Sequence, residues 1–128
     1  MREILFRGKR VDSGELVYGW LCRVGDKYAN IVEKGTEVLY SVSTKTIGQY
    51  TGLTDRNGKK IFEGDCFKTY CAGLPVYKHI VGYYPEHFAF MARCIKMNTV
   101  HYLSDYRPSA IEVIGNIYDN PELLEVTE

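Results

Sequence analysis

Short strand-like runs separated by turn signals that contain glycine are the sequence feature that most limits how this chain can fold. The first turn signals are Asp12-Ser13-Gly14, Gly25-Asp26-Lys27 and Lys34-Gly35-Thr36. Asp can bond its own backbone and glycine accepts a positive φ, so these triplets favour reversals between antiparallel strands. The N-terminal third is therefore predicted to be a β-meander. Its predicted strands are residues 2–8, 15–24, 27–33 and 37–43.

The segment TGLTDRNGKKIFEGD, residues 51–65, contains two further corners. Residues 55–58 predict a type I turn followed by a left-handed glycine, which would join a strand at 46–53 to KKIFEG. The triplet Glu63-Gly64-Asp65 predicts a second reversal, into a strand at 66–72. A Gly-Asp corner before a strand is typical of SH3-like barrels, so small SH3-like barrel elements are expected.

The remainder of the chain is also predicted to be mainly β. Further strands are expected at 76–84 after Gly73-Leu74-Pro75, at 99–103 and at 112–119. Residues 88–97 fit both a strand and a helix, and the early aromatic residues with no preceding N-cap favour the strand. Asn120-Pro121-Glu122 predicts a short C-terminal helical turn with Asn120 as its cap. Because no linker or low-complexity segment interrupts the 128 residues, we expect a single domain, residues 1–128.

Composition and charge indicate an ordinary soluble protein and exclude several classes. Sixteen basic residues balance sixteen acidic ones, so a long-range positive field for non-specific nucleic-acid binding is absent. The apolar runs are far shorter than the ~20 residues that cross a bilayer, so no membrane span is expected. The charged N-terminus, MREILFRGKR, does not resemble a secretory signal. Cys22, Cys66, Cys71 and Cys94 form no C-x-x-C pair and are expected to be reduced, which favours the cytoplasm.

No pattern in the sequence predicts a metal site, a cofactor or an enzyme. Cys66, Cys71, His79 and His87 have the spacing C-x4-C-x7-H-x7-H, which matches no common zinc site. The DRNG segment lacks the remaining ligands of a calcium loop, and no phosphate-binding glycine loop occurs. No nucleophile signature surrounds any Cys, Ser or His, and His79 is interpreted as a hydrogen-bonded sheet residue. We therefore expect no cofactor, no metal and no catalytic activity.

Three carboxylates near the two central corners, Asp55, Glu63 and Asp65, are the remaining candidates for chemistry. Paired carboxylates can perform acid and base catalysis. Turn chemistry accounts for the same residues without a substrate, because short acidic side chains accept hydrogen bonds from nearby backbone N–H groups. We predict the structural role.

Three blocks of the sequence resemble the YopX-like family of proteins encoded by phages and prophages. They are REILFRG (2–8) with YGWL (18–21), TIGQYTGLTDRNGKKIFEGD (46–65) and EVIGNIYDNPELL (112–124). The resemblance implies a mainly β, oligomeric protein with small barrel-like elements, and it transfers no catalytic residue. It also implies a buried structural thiol at Cys66, where such proteins usually have an apolar residue. The residues of the family motif, which we expect to be structural, are Gly48, Gln49, Thr51, Gly52, Leu53, Asp55, Gly58, Glu63, Gly64, Asp65, Gly115 and Asn116.

Two short segments of the chain are weakly similar in sequence: Ile47-Gly48-Gln49 and Ile114-Gly115-Asn116. Chance is one explanation, because real repeats recur with a fixed period over longer spans. The alternative is that the two segments pair or occupy equivalent places in two half-barrels.

The sequence supports two alternative functions. The first is a non-enzymatic, self-associating protein-interaction module, which would bind a second copy and a phage or host protein through aromatic strand faces. Eleven tyrosines and the absence of net charge favour it. The second is a nucleic-acid-binding small β-barrel protein with tyrosines as stacking platforms. Its basic residues would be Arg7, Lys9, Arg10, Arg56, Lys59 and Lys60.

Overall fold

The computed structural model describes residues 3–125, and this part of the chain is built from β-strands and short 3-10 turns. Its eleven strands form two sheets, and no α-helix occurs between residues 3 and 125. The predicted mainly β fold is confirmed. The chain divides into two compact units, Met1–Gly52 and Leu53–Glu128. The division falls inside a strand rather than in a linker, and the expected single domain stays a prediction.

The first unit contains the predicted meander. Its strands are β1 (Phe6–Lys9), β2 (Leu16–Val24), β3 (Tyr28–Glu33), β4 (Leu39–Ser43) and β5 (Gly48–Thr54), the last of which continues into the second unit. The sheet has the order β4-β3-β2-β1-β5-β6, where β6 is Lys60–Phe62. The predicted first strand, residues 2–8, forms only from Phe6, and Arg2 lies outside the described residues.

One face of this sheet carries the core of the first unit. Val17, Ala29, Ile31 and Val42 are buried together, because alternate residues of β2, β3 and β4 point to the same side. Leu21, Tyr40 and Ile47 pack against them. The opposite face of the same strands therefore faces away from this core.

The second unit contains a five-stranded antiparallel sheet. Its strands are β7 (Asp65–Cys71), β8 (Leu74–Tyr84), β9 (Ala89–Cys94), β10 (Val100–Tyr102) and β11 (Ile111–Asn116), in the order β10-β9-β8-β7-β11. Residues 89–94 are thus a strand, as predicted. The core of this unit consists of Ile61, Phe67, Val81, Ala92, Leu103, Ile111 and Val113.

The start of β8 corrects one predicted turn. Leu74 and Pro75 belong to the strand, and the reversal is made by Ala72 and Gly73, with φ of 54° and 79°. Two consecutive residues with positive φ suit a tight hairpin. Proline is tolerated at position 75 because β8 pairs with β9 only from His79 onward. The missing N–H of Pro75 therefore removes no hydrogen bond between β8 and β9.

The sheets do not close into a barrel, so the expected SH3-like barrel elements are incomplete. The end of β1 approaches β4 through an isolated bridge between Arg10 and Val42, and the Val11 N–H donates to the Ser41 carbonyl oxygen at 3.0 Å. After β4 the chain passes through the 3-10 turn Thr44–Thr46 and adds β5 on the other side of β1. This addition extends the sheet instead of closing it.

The C-terminal helical turn is present as a 3-10 turn, Pro121–Leu124. Asn120 does not cap it as predicted, because the Asn120 Oδ1 accepts the Asn116 N–H at 3.3 Å instead. Nothing helical within residues 3–125 has the length and apolar character needed to span a bilayer.

Candidate functional site

The carboxylate of Asp55 is occupied by backbone donors. Its Oδ1 accepts the N–H groups of Asn57 and Lys59, each at 2.9 Å, and its Oδ2 accepts the Val113 N–H at 2.9 Å. The side chain is buried, with 4% of the residue exposed. Gly58 completes the turn with φ 78°, and its N–H donates to the Asp55 carbonyl oxygen at 3.0 Å. Asp55 therefore holds its own turn and joins it to β11.

The second central corner is held in a similar way. Asp65 is buried at the start of β7, and its Oδ2 accepts the Phe62 N–H at 2.8 Å. The Gly64 N–H donates to the Val81 carbonyl oxygen, and the Gly64 carbonyl oxygen accepts the Ile117 N–H, both at 2.9 Å. Glu63 lies in the same turn, partly buried. This corner thus connects β6, β8 and the residue that follows β11.

The end of β11 contains the last two motif residues. The Asn116 Oδ1 accepts the N–H groups of Tyr118 and Asp119 at 3.0 and 2.9 Å, and its Nδ2 donates to the Asp119 carboxylate at 3.1 Å. A β-carbon on Gly115 would overlap the side-chain oxygen of Asn120. These contacts reverse the chain tightly after β11.

The remaining motif residues lie in β5. Gly48 and Gln49 pair with Arg7 and Phe6 of β1. Thr51 and Gly52 follow in the first unit, and Leu53 packs against the core of the second unit. The sequence similarity between residues 47–49 and 114–116 does not reflect strand pairing, because β5 and β11 belong to different sheets.

Asp55, Asp65 and Asn116 of the motif thus accept hydrogen bonds from the backbone. Among residues 3–125, no three His, Cys, Asp or Glu side chains are placed to hold a metal ion. Of the four residues with zinc-like order, Cys66 and His79 are buried, whereas Cys71 and His87 are exposed. Burial raises the pKa of the Cys66 thiol to about 11. Cys66 is thus the buried thiol that the resemblance implied.

A buried aromatic cluster around His79 was not predicted from the sequence. The His79 ring stacks on Phe67 with centroids 5.0 Å apart, and Tyr106 meets both rings edge-on at 5.4 Å. Within residues 3–125, no group lies in hydrogen-bond geometry with the His79 Nδ1. Burial lowers the pKa of His79, so the ring is neutral at pH 7. The sequence predicted a strand at 66–72 and gave no indication that His79 would stack on it.

A surface cluster around Glu112 was also not predicted from the sequence. The Tyr70 hydroxyl donates to Glu112 at 2.7 Å, Asn57 donates at 3.2 Å and the Lys68 ammonium lies 3.5 Å away. The Tyr70 bond is the main cause that lowers the pKa of Glu112. The Arg56 guanidinium lies 4.4 Å from the centre of the Tyr70 ring. Asn57 and Glu112 are 55 residues apart in sequence, so no local pattern connects them.

A row of apolar side chains crosses the first sheet on the face opposite its core. Trp20 is paired with Val32, and Val32 with Leu39, so the three side chains lie side by side. Trp20 is 48% exposed and Leu39 is 59% exposed. Tyr28, also 59% exposed, lies on the same face because it is four residues from Val32 in β3. We call Trp20, Val32, Leu39 and Tyr28 the Trp20 face.

A cleft continues the Trp20 face at the β2–β3 turn. It has a volume of about 470 Å³. It is lined by Arg23, Gly25, Asp26, Lys27, Tyr28, Asn30 and Ser41. Asn30 donates to the Ser41 hydroxyl at 3.4 Å on its floor. We call it the Tyr28 cleft.

Fold and site together define a class of two-sheet antiparallel β proteins in which the motif residues hold backbone corners. The chain belongs to the YopX protein family, whose model matches residues 6–125, and the resemblance noted in the sequence is thereby confirmed.

Two solved structures have a similar fold. Protein EF1440 from Enterococcus faecalis has 26% sequence identity and a TM-score of 0.60, with 98% of this chain and 100% of that chain covered. Protein yopX from Bacillus subtilis has 19% identity and a TM-score of 0.56, with both chains fully covered. No curated protein matches the chain.

Proposed function

We propose that this protein is a non-enzymatic interaction module that binds a second copy of itself through the Trp20 face. The observation that carries the proposal is the row formed by Trp20, Val32 and Leu39, which lies on the outer side of an antiparallel sheet. Soluble monomers seldom expose contiguous apolar surface without a binding role. Tryptophan and tyrosine are enriched among the residues that contribute most to the binding energy of protein interfaces.

The hydrophobic effect supplies the driving force for this association. Each Å² of apolar surface removed from water contributes about 25 cal/mol, and part of that gain is offset by the lost freedom of the two partners. Trp20 and Tyr28 provide large contact areas with few rotatable bonds, so little side-chain entropy is lost when they are buried.

A non-enzymatic role is supported by the use that the fold makes of its motif carboxylates. Three backbone N–H groups bond to Asp55, and another bonds to Asp65. Both residues are buried, which separates them from a dissolved substrate. The motif thus serves the backbone, and the exposed side chains of the Trp20 face are left for binding.

The placement of Arg7 and Arg10 favours protein partners over nucleic acid, whereas Arg56, Lys59 and Lys60 are exposed. Arg7 is buried, and the Arg10 guanidinium forms two hydrogen bonds with Asp12, at 2.9 and 2.8 Å. Neither guanidinium is therefore an unpaired cation available to the phosphate backbone. Contacts with that backbone dominate the affinity of proteins for nucleic acid. Membership in the family supports a phage or host protein in the bacterial cytoplasm as a further partner.

Sedimentation velocity of the full chain over a range of concentrations tests the proposal. Wild type should form a dimer or larger species, and Trp20→Ser should weaken association about 30-fold, as expected for a central interface residue. Ile4→Ser, which alters an exposed apolar residue outside the strands, is the control and should associate like wild type. A wild-type monomer at every concentration would contradict the proposal.

Fluorescence anisotropy with labelled single-stranded and double-stranded DNA and RNA at low salt tests the alternative. No binding is expected. Tight binding that weakens linearly with the logarithm of salt concentration would instead favour the nucleic-acid-binding function.

A further inference from the structure

Phe88 combines two features that a folded chain normally avoids. It follows the 3-10 turn Pro85–His87 between β8 and β9 and adopts a left-handed conformation with φ 51°. It is also 86% exposed. Asn or Gly would satisfy this backbone conformation with less strain, and an exposed phenyl ring contributes nothing to the core. A role outside the fold of the single chain accounts for both features.

The hairpin around Phe88 carries further aromatic rings. Tyr83 and Phe90 are paired across β8 and β9 with centroids 5.4 Å apart, and Tyr83 is exposed. His87 contacts Tyr102 of β10 at 6.0 Å between ring centroids. We call residues 83–88 the Phe88 tip. Glu86 gives this tip a negative charge next to its exposed ring.

We propose that the Phe88 tip of one molecule inserts into the Tyr28 cleft of a second copy. This inference rests on the proposed self-association and names the segment that occupies one end of the Trp20 face. The cleft is open enough to admit a phenyl ring, and the exposed Tyr28 ring offers it an aromatic partner. The Trp20 face continues from the cleft, so the body of the hairpin would cover it.

The charges of the two surfaces are complementary. Arg23 and Lys27 outnumber the one acidic residue of the cleft, Asp26. Glu86 is two residues from Phe88, so insertion of the ring brings its carboxylate toward these cations. Opposite charges across an interface favour the correct partner and register.

A symmetric contact between two Phe88 tips fits these charges less well. A two-fold axis through the tips would place Glu86 opposite Glu86 of the second copy, and like charges in contact are unfavourable. Tip and cleft are different surfaces of the same chain, so the contact we propose forms either twice across a two-fold axis or once per neighbour in a ring or an open chain of molecules.

Phe88→Asn provides the first test by sedimentation velocity. Asn adopts the left-handed conformation readily, so the variant should fold normally, while the dissociation constant of the oligomer should rise about 30-fold. Leu74→Asn is the matched control, because Leu74 is also strongly exposed but lies at the opposite end of β8. It should associate like wild type.

Charge exchange provides the second test and identifies the receptor. Glu86→Lys and Lys27→Glu should each weaken association, and the double variant should recover a large part of the loss. Loss in Phe88→Asn without recovery in the charge pair would place the tip against another surface and overturn the Tyr28 cleft as its receptor.

The outcomes separate this inference from the proposed function. If wild type associates and Phe88→Asn associates equally well, the tip is not in the interface, while self-association stands. If wild type is monomeric, the proposed self-association is wrong, and so is the insertion of the Phe88 tip. If Phe88→Asn lowers the free energy of unfolding at concentrations where wild type and variant are both monomeric, Phe88 supports the fold and the inference is wrong.

Discussion

The Asp55 carboxylate accepts a hydrogen bond at 2.9 Å from the backbone N–H of Val113, 58 residues further along the chain. The same carboxylate holds the turn in which Asp55 lies, through Asn57 and Lys59. One buried side chain thus fixes both a local corner and a contact between distant segments. These hydrogen bonds give the acidic side chain at position 55 a structural role.

Asp55→Asn should lower the free energy of unfolding by about 2–4 kcal/mol, because the amide keeps one acceptor and turns an NH2 group toward a backbone donor. Urea denaturation of the full chain measures this loss. Asp12→Asn is the control, since Asp12 is exposed and its ion pair with Arg10 lies at the surface, and it should leave stability almost unchanged. Equal stability of Asp55→Asn and wild type would contradict the account of this corner.

Gly19→Ala should destabilise the first unit by about 3 kcal/mol, since overpacking that displaces backbone is among the costlier substitutions. A β-carbon at position 19 would overlap the carbonyl oxygen of Val32, so β2 and β3 would have to separate. Gly82→Ala is the matched control in another strand, where the new carbon would meet only Tyr84, at an ordinary 3.4 Å. Thermal or urea unfolding that ranks the two variants alike would refute this packing argument.

Stability should fall as the pH drops below about 6.5, the ordinary pKa of histidine, because burial lowers the pKa of His79 in the folded state. The unfolded chain then binds a proton that the folded chain does not, until the pH passes the folded pKa. The neighbouring groups do not reverse this direction: Phe67 is apolar, the Tyr77 backbone favours the charged ring but is outweighed by burial, and His101 lowers the pKa of His79 further.

Unfolding curves from pH 7.5 to pH 5 test this dependence. His79→Phe should keep the stacked arrangement on Phe67 and show a flatter pH profile than wild type. His87→Gln, at an exposed position, should retain the wild-type slope. A wild-type slope in His79→Phe would assign the dependence to other groups.

Two of the four thiols should react quickly with a thiol reagent such as dithionitrobenzoate at pH 8. Cys22 and Cys71 are exposed, whereas Cys66 and Cys94 are buried, and the pKa of Cys66 is raised to about 11. The thiolate is the reactive form, so burial and the raised pKa both protect Cys66. All four should react in denaturant. Rapid reaction of three or four thiols in the native protein would show that the second sheet opens more readily than its packing implies.

Sequence reasoning succeeded where the determining interactions are local. The turn at Asp12-Ser13-Gly14 and the left-handed Gly58 were predicted because their conformations depend on the turn residues themselves. The strand at 89–94 was predicted from its aromatic residues and the missing N-cap. These features require no knowledge of the neighbouring strands.

Features that depend on strand pairing could not be read from the sequence. Pro75 lies inside β8 because β9 begins to pair only at His79, and the open sheet arises because β5 joins β1. The row of Trp20, Val32 and Leu39 on the outer face of the first sheet follows from the register of three strands. The left-handed Phe88 is likewise a property of the folded hairpin, since no residue type near it requires that conformation.

Trp20 is the only tryptophan in the 128 residues, so its fluorescence reports on the Trp20 face alone. The most direct measurement is its emission maximum and acrylamide quenching over a dilution series, with sedimentation velocity on the same samples. As molecules associate, the emission should shift to shorter wavelength and quenching should decrease. Unchanged emission and quenching while the sedimentation coefficient rises would show that the face stays in water, and would contradict its role as the interface.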